Sequence, residues 1–536
     1  MGASSSSEAA APSPSKPSPS SATESTSLLP SADTFIYARR RVYFIYLAPA
    51  LAGFLYGYSI GAISGSVISI RALMMHQNGH MLSALQRSAL TSAGLIGAFL
   101  ASALAFYVGD PLGRRRELLI GSSFYLLGTV LSQIFHGYSY FLIFFSRMMY
   151  GIGIGFSMHS APLYIAEISP PDVRGFLIAL KEGFIVLGMV FGFSVVASVE
   201  GVLDPSQEWR VTWAVPALFA LVILSIMGFY APPSPRWLVL RGRPDESREA
   251  LRFLRPALTD DQIKKEVEEM QSMVTSTSSG GGGGGSEESG DVYKKADDVM
   301  KPSSSSEFPG PFSSDEKQKW AQLLSSKRPL VAGLGLVLLQ QVTGQPTVLY
   351  YAQSMFEASG MSTATARYSD VIVGACKLLA TLLCVPLVDR LGRRPLLFAG
   401  ISIMMLALLL LTMGFANVDS NGNVPHGWSQ LIVGALIVYV TGYQVGFGPI
   451  TWVLIGELFP LHSRARAIGV AVCANFALNL TTTLLNGPLV ESIGQAALFG
   501  FFGFMCIVSL IFVHRAVPET KGKSLEQIEA MMRGDE

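Results

Sequence analysis

The chain has 536 residues, of which 50% are hydrophobic and only 14% charged, with a mean hydropathy of +0.42. Soluble domains carry about 25% charged residues; the apolar excess here comes in blocks and points to a membrane bundle rather than several soluble domains. A net charge of +1 gives no reason to expect a nucleic-acid partner. Cys376, Cys384, Cys473 and Cys506 all fall in apolar blocks without metal-ligand spacing, so they read as small buried hydrophobes, and neither a metal nor a cofactor is expected. Gly522-Lys523-Ser524 has Val517 where a phosphate loop needs glycine, which removes the motif for ATP-driven pumping.

Residues 1–40 form a tail rich in Ser, Ala and Pro with little apolar content, expected to be disordered. Within it, Glu24 followed by Leu28 and Leu29 matches an acidic dileucine sorting signal, a candidate site for a sorting adaptor. Met1-Gly2 through Ser6 also fits a myristoylation pattern. Twelve apolar blocks follow, at roughly 43–70, 89–108, 117–136, 139–166, 175–199, 210–231, 329–357, 368–388, 395–416, 429–456, 465–488 and 494–515. Each is near the ~20 residues that cross a bilayer as helix. They divide into a six-helix half at 41–232 and another at 328–516, with a short tail at 517–536. The linker 233–327 carries two short amphipathic helices, at 244–255 and 259–273, and a flexible stretch with the run Gly280 to Gly285 and the serines 303–306. The predicted fold is an all-α membrane protein of twelve transmembrane helices in two six-helix pseudo-repeats.

Basic residues set the orientation. Arg39 to Arg41, Arg114 to Arg116, Arg174, Arg390, Arg393, Arg394, Arg464 and Arg466 share one side of the predicted bundle, which places both termini and the linker in the cytoplasm. The halves also repeat one another. Asp110-Pro-Leu-Gly113-Arg114-Arg115 is echoed by Asp389-Arg-Leu-Gly392-Arg393-Arg394, and seven residues separate both Glu167 from Arg174 and Glu457 from Arg464. Parallel six-span repeats build alternating-access carriers with the substrate between the halves. The spaced acids go beyond what topology alone requires. Asp110, Arg114, Glu167 and Arg174 form one candidate gating cluster; Asp389, Arg393, Glu457 and Arg464 form the other. Gly53, Gly57, Gly61 and Gly65 lie on one face of the first span and suit either a moving helix or close static packing.

The stretches GDPLGRRRE, PLYIAEISPPDVRG, PPSPRWL, QQVTGQPTVLYYA, VDRLGRRP, GPITWVLIGELFP and VPETKG carry a resemblance to the sugar-porter family of the major facilitator superfamily. LKEGFIVLG and QQVTGQPTVLYY are similar to its plant vacuolar-glucose-transporter and xylose-symporter-like branch. The resemblance implies a monomeric, non-enzymatic carrier in the lipid bilayer that moves a hexose or pentose by alternating access, alone or with protons. A vacuolar or other endomembrane is favoured over the plasma membrane or plastid envelope. A polyol or inositol carrier and a non-transporting sugar sensor are the alternatives. The family's sugar-facing positions correspond here to Gln340, Gln341, Gln444, Trp452, Asn475 and Asn479. Amides suit hydroxyls, and an indole face suits the C–H groups of a pyranose.

Departures from the family pattern bear on coupling. Proton-coupled members carry an acid in the first span where this chain has Ser59, and Pro346 stands where a sugar-binding Asn is common. Pro233 replaces the usual Glu of another motif. Glu182 and Lys377 occupy positions that are usually Gln and Asn, so both join the candidate substrate site. Two opposite charges inside spans are expected to pair across the seam between the halves, which makes Glu182 the coupling candidate. A lasting lysine partner would keep that carboxylate ionised and favour passive transport.

Overall fold

The computed structural model describes residues 32–78, 82–134, 139–169, 171–199, 201–256, 258–279, 320, 323–324, 326–418, 425, 427–459, 461–523, 527–528 and 531–532. The dileucine site at Glu24, Leu28 and Leu29, the glycine run and the serines 303–306 lie outside these residues. The first half contains α1 (Ala32–Asn78), α2 (Ala84–Leu112), α3 (Arg114–Ile134), α4 (Tyr140–Ile168), α5 (Pro171–Val199), α6 (Pro205–Ala214) and α7 (Pro216–Ser225), the last continued by a π-helical turn at Ile226–Tyr230. The linker contributes α8 (Pro235–Leu240), α9 (Pro244–Leu254) and α10 (Asp260–Ser279). The second half contains α11 (Lys327–Val342), α12 (Gln345–Ala358), α13 (Thr363–Leu391), α14 (Arg393–Ala416), α15 (Trp428–Val445), α16 (Phe447–Leu458) and α17 (Leu461–Ala516).

Among the described residues, ten helical stretches are long and apolar enough to cross a membrane. They reconcile with twelve blocks in two ways. α17 runs through Gly494, whose φ of +80° turns the chain between the eleventh and twelfth blocks. The seventh block is broken at Gly344, with φ +99°, into α11 and α12, each too short to be counted as a span. Pro346 stands in the first turn of α12, where a missing N–H costs nothing. That is the local reason for proline there. The tenth span is likewise divided, at Gly446, into α15 and α16.

Within the first half, α1 packs on α5, and α4 packs on both α2 and α3. The glycine face of α1 is used for that packing. A Cβ on Gly57 would lie 1.7 Å from the Ile185 carbonyl oxygen, and one on Gly61 would lie 2.3 Å from that of Met189. Gly188 and Gly192 of α5 reciprocate against the carbonyls of Phe54 and Tyr58. The stripe therefore joins two helices of one half, backbone to backbone. The two halves meet along α5 with α13, α2 with α17, and α1 with α12.

Linker helices α8 to α10 bury Val239, Leu251, Ile263 and Val267 among themselves. They are tied to the first half by Arg41, which donates to the Phe253 carbonyl at 3.3 Å and stacks on its ring.

Candidate functional site

The candidate substrate residues gather around breaks in helices of the second half. Gln340 and Gln341 sit in the last turn of α11, just before Gly344, and Gln444 lies two residues before Gly446. A helix break within a membrane is tolerated where the freed backbone lines a cavity or is buried in protein, and such breaks recur at carrier binding sites. Gln341 donates to the Asn475 Oδ1 at 2.6 Å. Gln340 donates to the Phe447 carbonyl at 3.3 Å and lies in hydrogen-bond reach of the Tyr443 hydroxyl. The Oε1 atoms of both glutamines are buried without a hydrogen-bond partner. Gln444 is buried against Gly448, where a Cβ would lie 2.8 Å from its amide nitrogen. Asn479 accepts from the Thr483 hydroxyl at 3.3 Å. Trp452 is half-buried and packs against the apolar cores of both halves.

The first half contributes Glu182, from α5. It does not pair directly with Lys377. Its carboxylate is 3.0 Å from the Nζ of Lys181, its neighbour in sequence. The Lys377 Nζ instead lies 5.0 Å from the centre of the Tyr443 ring, a cation–π contact. The predicted ion pair is thus corrected: a second lysine on the same helix supplies the closer cation, and an aromatic face takes the other. Glu182 still acts through space on Lys377, Tyr46, Tyr56 and Tyr443. The mixed site therefore includes residues that sequence reasoning missed. Tyr56 of α1 lies beside Tyr350 of α12 and packs edge-on against Phe476 of α17 at 5.8 Å, bridging the halves. Tyr350 and Lys181 belong to the recognised strings QQVTGQPTVLYYA and LKEGFIVLG, but Tyr56 and Tyr443 had no such signal.

On the side carrying the arginine-rich loops, two equivalent clusters form. Arg114 bridges Asp110 at 2.7 Å and Glu167 at 3.2 Å, and Arg393 meets Glu457 at 2.9 Å. Arg464 donates to the Phe459 carbonyl from its Nε and Nη2. The side chains of Arg174 and Asp389 lie outside the described residues. Each cluster rests on a turning glycine capped by a motif from elsewhere in the chain. Gly113, φ +81°, faces the Trp237 ring, whose Nε1 donates to the Asp110 carbonyl at 2.8 Å. Gly392, φ +97°, faces Glu519, which accepts the backbone N–H groups of Arg393 and Arg394. Partial burial pushes the Glu519 carboxyl up, but N–H donors of Lys521, Arg393, Arg394 and Thr520 outweigh it and hold the group below the usual carboxylate range. Its contribution is therefore present at neutral pH and is lost as pH falls through the depressed value.

At the opposite face, the halves are closed against each other. Gly487 N–H donates to the Ser88 hydroxyl oxygen at 3.1 Å, which also accepts from Tyr351 at 3.1 Å. Arg87 meets Glu491 at 3.0 Å, and Ser64 donates to Asp370 at 3.2 Å.

Two six-helix halves, a mixed polar and aromatic site between them, and charge clusters at one end define a membrane carrier of the major facilitator fold. The sequence model described as "Sugar (and other) transporter" matches residues 45–532, and the chain belongs to that family. It is 37% identical over 498 residues to "D-xylose-proton symporter-like 2" of Arabidopsis thaliana, covering 90% of each chain. It is 38% identical over 501 residues to "D-xylose-proton symporter-like 3, chloroplastic" of the same plant, covering 90% of this chain and 81% of that one. A solved structure of the proton:xylose symporter XylE bound to 6-bromo-6-deoxy-D-glucose aligns with a TM-score of 0.70 at 25% identity, over 92% of this chain and all of that one. The protein is a multi-pass membrane transporter of sugar type, not an enzyme.

Proposed function

We propose that the protein moves a monosaccharide, a hexose or pentose of the glucose or xylose type, by alternating access between its two halves. The observation that carries this is the pair of buried, partnerless amide oxygens of Gln340 and Gln341 beside the break in α11. Buried acceptors with no partner among the described residues match sugar hydroxyls, and leaving them unmatched is costly. The relatives' names, which specify D-xylose, agree with that chemistry. Purified protein in liposomes is expected to give saturable uptake of labelled xylose or glucose. Binding without flux would make it a sensor, and flux confined to inositol would make it a polyol carrier.

On coupling, the geometry favours passive movement. Ser59 cannot cycle a proton, and the Glu182 carboxylate is engaged within its own helix by Lys181 at 3.0 Å. The second reading is proton symport, favoured by the relatives' names and by one further pair. Glu117, fully buried on α3, lies 2.7 Å from the Nδ1 of His159 on α4, close to Gly469 of α17 in the other half. Sugar-induced alkalinisation outside proton-tight liposomes, abolished by Glu117→Gln, would establish that second reading and overturn the passive one.

The arginine-rich loops, the linker and both termini are assigned to the cytoplasm by their charge, and the two gating clusters to its gate. An endomembrane, the vacuolar one above all, is the proposed location, with Glu24, Leu28 and Leu29 as its address. Replacing both leucines by alanine is expected to redirect a fluorescent fusion; unchanged localisation would remove the address.

A further inference from the structure

Arg147 of α4 is a cation with no carboxylate. It is 6% exposed, and its Nη2 donates to the neutral Ser59 hydroxyl at 2.8 Å. Its guanidinium lies over the rings of Trp213, at 4.8 Å, and Tyr150, at 5.4 Å. Among the described residues, no acid forms an ion pair with it. The titratable groups nearest it are the neutral tyrosines Tyr150, Tyr350 and Tyr58. Glu208, also buried nearby in sequence to Trp213, is engaged elsewhere: it accepts from Ser69 at 2.6 Å and from the Gly201 N–H at 2.7 Å. Aromatic faces soften a buried guanidinium but do not cancel its charge.

Beside Arg147 is a partly open cavity lined by α1, α3, α4, α6 and α7, with room for about one water-sized particle. Three of its lining residues carry hydrogen-bond capacity that no described residue meets. The Nε of Arg147, the Nε1 of Trp213 and the hydroxyl of Thr129 are each buried with no partner, and Thr129 and Trp213 are both 3% exposed. The first two can only donate, and the third is free to donate. The remaining hydroxyls at the cavity have their protons committed: Tyr58 donates to Thr212, Tyr150 to Leu55, Ser146 to Ile143 and Ser132 to Thr129, all at backbone carbonyls. No carboxylate lines the cavity. The site is therefore cationic and rich in donors. A water there could accept only two of the three donors and would still leave the charge unbalanced. A small anion accepts all three and neutralises the guanidinium at once.

We propose that this cavity binds a monovalent anion of halide size, chloride under cellular conditions, as the counter-ion that Ser59 does not provide. The site lies wholly within the first half, away from the sugar-facing amides of the second. It acts on the protein by completing the contact between α1 and α4.

The test compares purified protein in sodium chloride, sodium bromide and sodium gluconate at one ionic strength, gluconate being too large for the cavity. Chloride and bromide are expected to raise the melting temperature saturably, by about 1 °C for a ligand in tenfold excess over its Kd. Thr129→Val and Trp213→Phe remove two donors while keeping an aromatic ring at position 213 for Arg147, and together they are expected to abolish the shift. Ser59→Asp places a carboxylate on the guanidinium. It is expected to melt at the same temperature in all three salts, no lower than wild type in chloride. Crystals grown in bromide are expected to show anomalous scattering in the cavity. Equal stability of the wild type in all three salts, a halide shift that survives Thr129→Val/Trp213→Phe, or a water in the cavity with no bromide signal would each overturn the proposal.

Discussion

Gln341→Ala is expected to weaken monosaccharide binding about ten- to a hundredfold while the protein stays folded. The substitution removes an amide whose oxygen has no protein partner and whose nitrogen donates to Asn475 at 2.6 Å. A sugar hydroxyl loses its acceptor, and the Asn475 oxygen loses its donor. A buried polar group left unmet costs about 1–3 kcal/mol, and each 1.4 kcal/mol is about tenfold in affinity. Folding should suffer less, because Gln341 lies in the last turn of its half-helix beside Gly344 and contributes a polar side chain. Equilibrium binding of labelled sugar to purified wild type and variant checks this, with melting temperatures measured alongside. An unchanged affinity in a folded variant would remove α11 from the site. Gln341→Glu serves as the companion: it keeps the acceptor and loses the donor, so it should bind sugar better than the alanine variant if the acceptor is what matters.

The sequence showed the bundle and its division because apolar blocks and repeated loop motifs are local signals. The acids and arginines at the loops were legible for the same reason: Asp110, Arg114 and Glu167 are brought together by short turns and one neighbouring helix. Their supports were not. Trp237 and Glu519 lie in recognised strings, yet nothing in those strings says that each closes over a turning glycine more than a hundred residues away. The substrate region shows the same limit. Gln340 and Gln341 could be singled out as amides in an apolar block, but the break at Gly344 that aims them depends on a single positive φ. The charge pair failed for a specific reason. Opposite charges in two spans suggest each other, whereas Lys181, one residue from Glu182, competes for the carboxylate from the same helix. Its stem places the ammonium 3.0 Å from the carboxylate without crossing between halves, and Lys377 then settles on Tyr443. The first-span glycines could be read two ways from spacing alone; the partner glycines Gly188 and Gly192 on α5 decide for close packing.

Gly487→Val is expected to stop transport while sparing sugar binding. Position 487 is where α17 meets α2 at the face opposite the arginine clusters. A Cβ there would lie 2.4 Å from the Ser88 hydroxyl oxygen and 3.0 Å from the Ala84 carbonyl oxygen. Ser88 cannot turn away freely, because it is fully buried and accepts from both the Gly487 N–H and the Tyr351 hydroxyl. The Tyr351 hydroxyl shares its proton between Ser88 and the Thr483 carbonyl oxygen, 3.0 Å away, so the whole contact is a knot of three helices, α2, α12 and α17. Valine therefore has to separate the halves at this end, and Arg87 and Glu491, one turn further out, lose their approach. Overpacking of this kind costs about 1–3 kcal/mol. Here the cost falls on the conformation closed at this face and spares the one open at it, so the equilibrium moves by about ten- to a hundredfold toward the open form. Alternating access needs both forms, so flux falls by a similar factor. The glutamines of α11 are unaltered, so sugar still binds. Spin labels at Leu85 and Ile493, both exposed near this end, on a background with the four native cysteines replaced by serine, report the separation directly. The variant is expected to show a longer distance than its parent, together with slow counterflow and retained binding. Wild-type flux with an unchanged label distance would show that this contact is not a gate.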